Sequence, residues 1–200
     1  MMIMLLLRVF AFLLGLTLAS PLHITQANRN ALQARFAKDF VLSDIAALSC
    51  PVSPQQAGNT TTPALNPTTS LWNDTLTFQL TDLNTNTSTT CTKSYLETRP
   101  ADNSTEASPS FDLCADTHVQ YETYRWRFEE NPTEFGKFLI ELDHSFNDPA
   151  QFPPPFSVVT YFSEHLQLNL TCSHLRDGGQ SCKLPHREKT LNAPVNGMSD

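Results

Sequence analysis

Hydrophobic and polar positions alternate in short runs along most of the chain. In 71–82 (LWNDTLTFQLTD), Leu76, Phe78 and Leu80 alternate with Thr75, Thr77 and Gln79. A period of two predicts a half-buried β-strand. The next stretch, 83–91 (LNTNTSTTC), predicts a turn and an edge strand, because threonine favours strands while keeping its hydroxyl toward water. In 118–130 (HVQYETYRWRFEE), Tyr124, Trp126 and Phe128 share one face and Arg125 and Arg127 the other. In 135–146 (FGKFLIELDHSF), Phe138, Ile140, Leu142, His144 and Phe146 share a face, opposite Lys137, Glu141 and Asp143. A turn at Asn131-Pro132 separates these two runs, so they predict an antiparallel hairpin held by cross-strand aromatic and aliphatic pairs. Further on, Leu166, Leu168 and Leu170 alternate with Gln167, Asn169 and Thr171, and Asp177-Gly178-Gly179 is a turn signal. Residues 40–48 (FVLSDIAAL) read as a first strand leading into Cys50.

Polar segments separate the runs. Residues 51–70 and 97–113 predict long surface loops, rich in proline, threonine and serine with little to bury. Residues 20–37 read as a flexible segment; 30–40 (NALQARFAKDF), which begins within it and runs past its end, carries a weak helical pattern, and 186–200 read as a loose tail. The expectation is one all-β domain over 38–185, a single antiparallel β-barrel or barrel-like sandwich.

The first nineteen residues change the compartment. One arginine (Arg8), an apolar run at 9–18 and small residues at Thr17, Ala19 and Ser20 form the pattern of a cleaved signal peptide, with the cut after Ala19. The apolar run is about half the ~20 residues that span a bilayer. Removing Arg8 takes the formal charge from −7 to about −8, a balance that disfavours nucleic acid and anionic membrane as partners. Asn59, Asn73, Asn86, Asn103 and Asn169 each begin an Asn-X-Ser/Thr glycosylation signal, which requires a surface position. Asn169 meets that requirement, since it falls on the polar face of its strand.

Five cysteines follow the leader, an odd number for a secreted chain. Cys91, Cys114, Cys172 and Cys182 lie in the strand-rich region and allow three pairings. The sequential one, Cys91 with Cys114 and Cys172 with Cys182, closes two short loops and stabilises by roughly 3 kcal/mol per bridge; it is preferred, and the other two stay open. Zinc is disfavoured, because no Cys-X-X-Cys spacing occurs and an oxidising compartment favours disulfides. Cys50 is left without an internal partner, ahead of a polar loop, where an exposed thiol would join a second chain.

The signal peptide, the Ser-Cys-Pro-Val stretch at 49–52, the two sequential cysteine pairs and the stretches DFVLSDIAA and FQLTDLNTNTSTTC together resemble the small secreted fungal β-barrel proteins typified by the major Alternaria allergen. The five-cysteine order carries most of that resemblance, which spans about 140 residues at motif level. It implies a β-barrel with two internal disulfides, a homodimer linked through Cys50, no catalytic activity, and a host protein or small phenolic ligand as the binding partner. The chain departs from the family pattern in its long loops, its many glycosylation signals and its longer segment before Cys50.

Catalytic chemistry finds little support. Glu141, Asp143 and His144, or Ser163, Glu164 and His165, offer the residue types of a triad. No Gly-X-Ser-X-Gly elbow accompanies them. Glu129, Glu141 and Asp143 could supply paired carboxylates for glycoside hydrolysis, although in strands such residues usually form the solvated face. No His-X-His or His-Glu-X-X-His spacing points to a metal, and no cofactor is expected. Trp126 and Phe128 read as core and Tyr121 as an exposed contact. The competing function is an extracellular carbohydrate-binding protein or hydrolase on a β-sandwich, which an acidic cleft or exposed aromatics would favour.

Overall fold

Two antiparallel sheets face each other across an apolar interior. The structure is a computed structural model that describes residues 37–52, 70–99 and 110–199, except 131, 133, 153 and 156. The leader at 1–19, residues 20–36 and the glycosylation signals at Asn59 and Asn103 lie outside the described residues, as do the loop interiors at 53–69 and 100–109. The first sheet holds β1 (Phe40–Pro51), β2 (Ser70–Asp82), β3 (Thr87–Arg99), β8 (Thr171–His174), β9 (Gln180–Lys183) and β10 (Thr190–Ala193). The second holds β4 (Asp112–Leu113), β5 (Thr123–Phe128), β6 (Lys137–Asn147), β7 (Val158–Asn169) and β11 (Gly197–Ser199). Strand order is β3-β2-β1-β9-β8 in the first sheet, with β10 also beside β1, and β11-β7-β6-β5-β4 in the second. The sheets do not close on each other, so the fold is the barrel-like sandwich rather than the closed barrel.

The expected alternations become the core. Leu76, Phe78 and Leu80 from β2 meet Tyr124, Trp126 and Phe128 from β5 and Phe138, Ile140 and Leu142 from β6, all buried. Phe78 and Trp126 pack edge to face across the sheets, with ring centroids 5.2 Å apart, a geometry favoured by the ring quadrupoles. Cys91 bonds to Cys114, joining the edge strand of the first sheet to the loop before β5, and Cys172 bonds to Cys182 across the β8–β9 hairpin. The preferred pairing is therefore the one present. Two intramolecular disulfides suit a protein matured in an oxidising compartment.

Two β-bulges set which side chains face inward. Between Ser43 and Ala46, two residues of β1 oppose one of β2, and Asp44 takes the left-handed φ of 50°. Strict alternation from Phe40 and Leu42 would turn Leu48 and Cys50 inward. The extra residue reverses the phase, so Ile45, Ala47 and Ser49 are buried while Leu48 faces out, as a one-residue shift in a period of two requires. A matching irregularity between Ile140 and Leu142 falls at His165, where φ is 60°. Before it Val159, Tyr161 and Ser163 face the core; after it Leu168 does, flanked by the partly buried Leu166 and Leu170.

The C-terminal residues correct the expectation of a loose tail. β10 pairs with Phe40–Ser43 of β1 along register 40↔193 to 43↔190, and β11 pairs with β7. Ala193, Val195 and Met198 are buried. The first half of β1 would otherwise present an open edge, because β9 covers only its second half. Removing residues 190–199 is expected to lower the melting temperature by more than about 5 °C, as uncovering a central strand would. Thermal denaturation of the truncated chain checks this; a dispensable tail would leave the melting temperature unchanged.

Candidate functional sites

β2 carries a buried carboxylate at each end of its inward face, Asp74 and Asp82, both fully covered. Buried charge is tolerated only with partners, and the two ends solve that problem differently.

At one end, His144 on β6 reaches across to the opposite sheet. Its Nδ1 lies 2.7 Å from Asp82 Oδ2 and its Nε2 3.2 Å from Glu122 Oε1. The imidazole thus bridges the two acids through both of its ring nitrogens. Asn84 donates to Asp82 Oδ1 through its backbone N–H at 2.6 Å and its side-chain amide at 2.7 Å. Thr87 Oγ1 donates to Glu122 Oε1 at 2.6 Å, and Thr117 Oγ1 donates to the other Glu122 oxygen. Tyr124 stacks on the imidazole with centroids 3.7 Å apart and planes 5° from parallel, and Phe146 lies 5.0 Å away. Burial pushes the Tyr124 phenol up to about 12 against the Thr87 hydroxyl that sits beside it. Both ring nitrogens of His144 are occupied and the ring is sealed, so it has neither a free lone pair nor access to substrate.

The candidate triads are not assembled. Asp143 faces out from His144 and pairs with Arg125 at 2.8 Å, and Glu141 pairs with Arg127. Burial raises the Asp143 pKa while Arg125 opposes the shift. Ser163 points into the core, where its Oγ has no partner among the described residues. It flanks Leu142 opposite Trp126, whose Nε1 is likewise unpartnered. His165 is solvent-exposed and sits 2.7 Å from Glu129, and the side chain of Glu164 lies outside the described residues. Trp126 and Phe128 are core and Tyr121 is exposed, as the alternation predicts. Among the described residues no group of three His, Cys, Asp or Glu is placed to hold a metal.

At the other end, Asp74 Oδ2 accepts from Arg99 Nη2 at 2.6 Å, and Arg99 Nε donates to Glu97 at 2.8 Å. The guanidinium lies over the Trp72 ring at 4.7 Å and the Phe135 ring at 5.5 Å. Burial lifts the Asp74 pKa from 3.8 to about 6; the neighbouring Ser49 hydroxyl and Arg99 oppose the shift and Glu97 adds to it. Ser49 is the cross-strand partner of Asp74, close enough to favour its charge but outside hydrogen-bond geometry. Ser49 Oγ and Asp74 Oδ1 thus remain unpartnered among the described residues, at a cost of roughly 1–3 kcal/mol each.

Each end opens to a pocket. The one beside the histidine cluster, about 320 Å³, is lined by Lys38, Asn84, Asp148, Gln151 and the rings of Phe146 and Tyr161. Its polar groups are engaged with one another: Asn84 bonds Lys38 at backbone N–H and C=O, and Lys38 Nζ bonds Leu83 O. The other, about 420 Å³, is lined by Arg99, Phe135, Lys137, Leu170, Gln180 and the Cys172 disulfide.

Neither carboxylate cluster was legible in the sequence, because an acidic residue inside a Thr-rich or Arg-flanked alternation has the signature of a solvated face. The one signal was positional: Asp74 and Asp82 share the parity of Leu76, Phe78 and Leu80. Cys50 is also displaced from expectation. It lies within β1, half-buried and opposite Asn73, not beyond the strand end. Asn73, Asn86 and Asn169 are exposed, as glycosylation would require.

Comparison with protein-family models, curated proteins and solved structures gives no match to this chain.

Asp74 carries a pH dependence with a definite sign. The folded state holds its proton more tightly than the unfolded chain, whose value is near 3.8. The stability this group contributes is therefore complete below that value and lost as pH rises through about 6. Asp74→Asn should gain stability relative to wild type between about pH 4.5 and about pH 7.5, measured as urea midpoints at constant ionic strength. A difference that is the same at both pH values would contradict the assignment.

Proposed function

We propose that the chain is a secreted, N-glycosylated, non-enzymatic binding protein of the Alternaria-allergen type, linked as a homodimer through Cys50 and acting on a host protein or small ligand, phenolic compounds included. The observation that carries the reading is the isolation of Cys50. The other four cysteines are bonded in pairs, while Cys50 alone is free and lies on the outward face of the first sheet.

That face suits contact with another chain. Its threonine and serine hydroxyls bond one another in rows, Thr75 with Ser94 at 2.8 Å and Thr77 with Thr92 at 3.1 Å, which leaves few charged side chains among them. Leu48 and Leu96, 43% and 55% exposed, lie on the same face near Cys50. Support for a non-catalytic role comes from His144, whose nitrogens are both taken, and from carboxylates tied to arginines. Secretion rests on the leader and accords with the two disulfides.

Electrophoresis of the deglycosylated chain with and without reductant tests the dimer. Wild type is expected to run as a dimer only when unreduced, and Cys50→Ser as a monomer in both lanes. A wild type that is monomeric without reductant overturns the dimer. Because Asn73 is the cross-strand neighbour of Cys50, Asn73→Gln should raise the dimer fraction of glycosylated material.

A further inference from the structure

β11 is joined to the rest of the chain through a step that can modify itself. Asn196 and Gly197 form the one Asn-Gly pair in the sequence. They lead into β11, which lies along β7 through the register Gly197↔Phe162, Met198↔Tyr161 and Ser199↔Thr160. The fold requires the glycine, because a Cβ at 197 would run into the Phe162 ring and hold β11 away from β7. Nothing in the fold requires the asparagine. Its side chain is exposed and has no hydrogen-bond partner among the described residues. Asn84 is the contrast, with its amide held by Asp82 and the Lys38 carbonyl.

A free amide can turn toward the backbone nitrogen of the next residue, and a glycine leaves that nitrogen uncrowded. Ring closure between them needs a backbone conformation that a paired, extended strand does not offer, so it proceeds when β11 opens. A strand of three residues at the sheet edge, paired on one side only, opens at low cost.

We propose that Asn196–Gly197 is a self-modification site that converts through a cyclic imide to aspartate and isoaspartate, and that the isoaspartate form no longer seats β11 on β7. The Gly197 backbone nitrogen bonds to Asn196 Cγ and gives up its proton. The Cγ–Nδ2 bond breaks, and the side-chain nitrogen leaves as ammonia. One water then opens the imide. Cleavage between Gly197 N and Cγ gives aspartate on the original backbone. Cleavage between Gly197 N and the Asn196 carbonyl carbon routes the chain through Cβ and Cγ and gives isoaspartate. Either route consumes one water and releases one ammonia, with no oxidant or reductant.

The two products differ in what they do to the sheet. Aspartate adds a charge at an exposed position and keeps the chain spacing. Isoaspartate inserts one backbone carbon between two anchored points. One is the Asn196 N–H, which donates to Phe162 O at 3.1 Å; the other is Gly197, the register partner of Phe162. The added length pushes Gly197 off Phe162 and draws Met198 out of the core. Because the reaction runs in the open state and this product cannot close, transient opening becomes permanent loss of the strand. β7 is then a free edge, the kind of edge that pairs with other chains.

Ageing of the disulfide-bonded chain in mildly alkaline buffer at physiological temperature tests this. Peptide mass mapping is expected to show amide-to-acid conversion at Asn196, and an isoaspartate-specific methyltransferase to label the same peptide. Asn192, also exposed but followed by Ala193 within β10, should remain an amide. The isolated isoaspartate form should melt more than about 3 °C below fresh protein, with faster amide exchange along Gly197–Ser199. Asn196→Gln should resist ageing. Asn196→Asp, which has the charge without the extra carbon, should melt within about 1 °C of wild type. No conversion at Asn196, conversion no faster than at Asn192, or an isoaspartate form as stable as Asn196→Asp each overturns the proposal.

Discussion

A histidine of the second sheet held between two buried carboxylates, one of them on the first sheet, is the contact around which this sandwich is arranged. Asp82 ends β2 in the first sheet, His144 lies on β6 in the second, and Glu122 lies in the loop just before β5. Desolvating such groups is costly, and removing one partner strands the remaining charge, a loss of about 3–5 kcal/mol in comparable sites. The sheets must therefore meet at one relative position, the one that brings His144 between its two acids. Apolar packing of Phe78 against Trp126 supplies attraction, but such contacts tolerate sliding and repacking. The ionic cluster does not. Its outer bonds to Asn84, Thr87 and Thr117 extend that constraint into the β2–β3 turn and the loop before β5, next to the Cys91–Cys114 bridge.

The opposite end of β2 is built from the same kind of residue with a different outcome. Asp74 is as buried as Asp82, yet its cation is Arg99, which remains partly exposed at the rim, and one carboxyl oxygen and the adjacent Ser49 hydroxyl are unserved. The carboxylate at one end of β2 is therefore fully bonded, while the other end leaves two buried polar atoms without hydrogen-bond partners among the described residues, an arrangement that weakens the fold locally.

Period-two alternation made the core strands readable: Leu76, Phe78 and Leu80; Tyr124, Trp126 and Phe128; and the run from Phe138 to Phe146 all face inward. Cysteine spacing gave the bridges their preferred pairing, and loop-closure entropy was sufficient reason. Alternation fails wherever a strand changes phase. At Asp44 and His165 a non-glycine residue adopts a left-handed backbone, which nothing in its identity demands. The slip at Asp44 alone decides that Ser49 joins the buried row and that Cys50 faces outward. The short strands β10 and β11 were missed because three or four residues contain too few periods, and they form only because β1 and β7 offer open edges. The buried acids were missed because burial of a charge is decided by a distant partner. Asp82 and His144 are 62 residues apart, a separation that local pattern cannot bridge.

A double-mutant cycle on Asp82→Asn and His144→Gln, read by urea denaturation, tests the role of the cluster most directly. Asp82→Asn keeps side-chain shape while removing the carboxylate, and His144→Gln keeps a polar group while removing the ring; the cycle cancels the loss of stacking on Tyr124 and Phe146, which both His144 variants share. If the pair fixes the two sheets together, its coupling energy exceeds about 1.5 kcal/mol and the double variant is far less destabilised than the sum of the singles. Effects that add to within about 0.5 kcal/mol would show two independent polar residues and contradict the account.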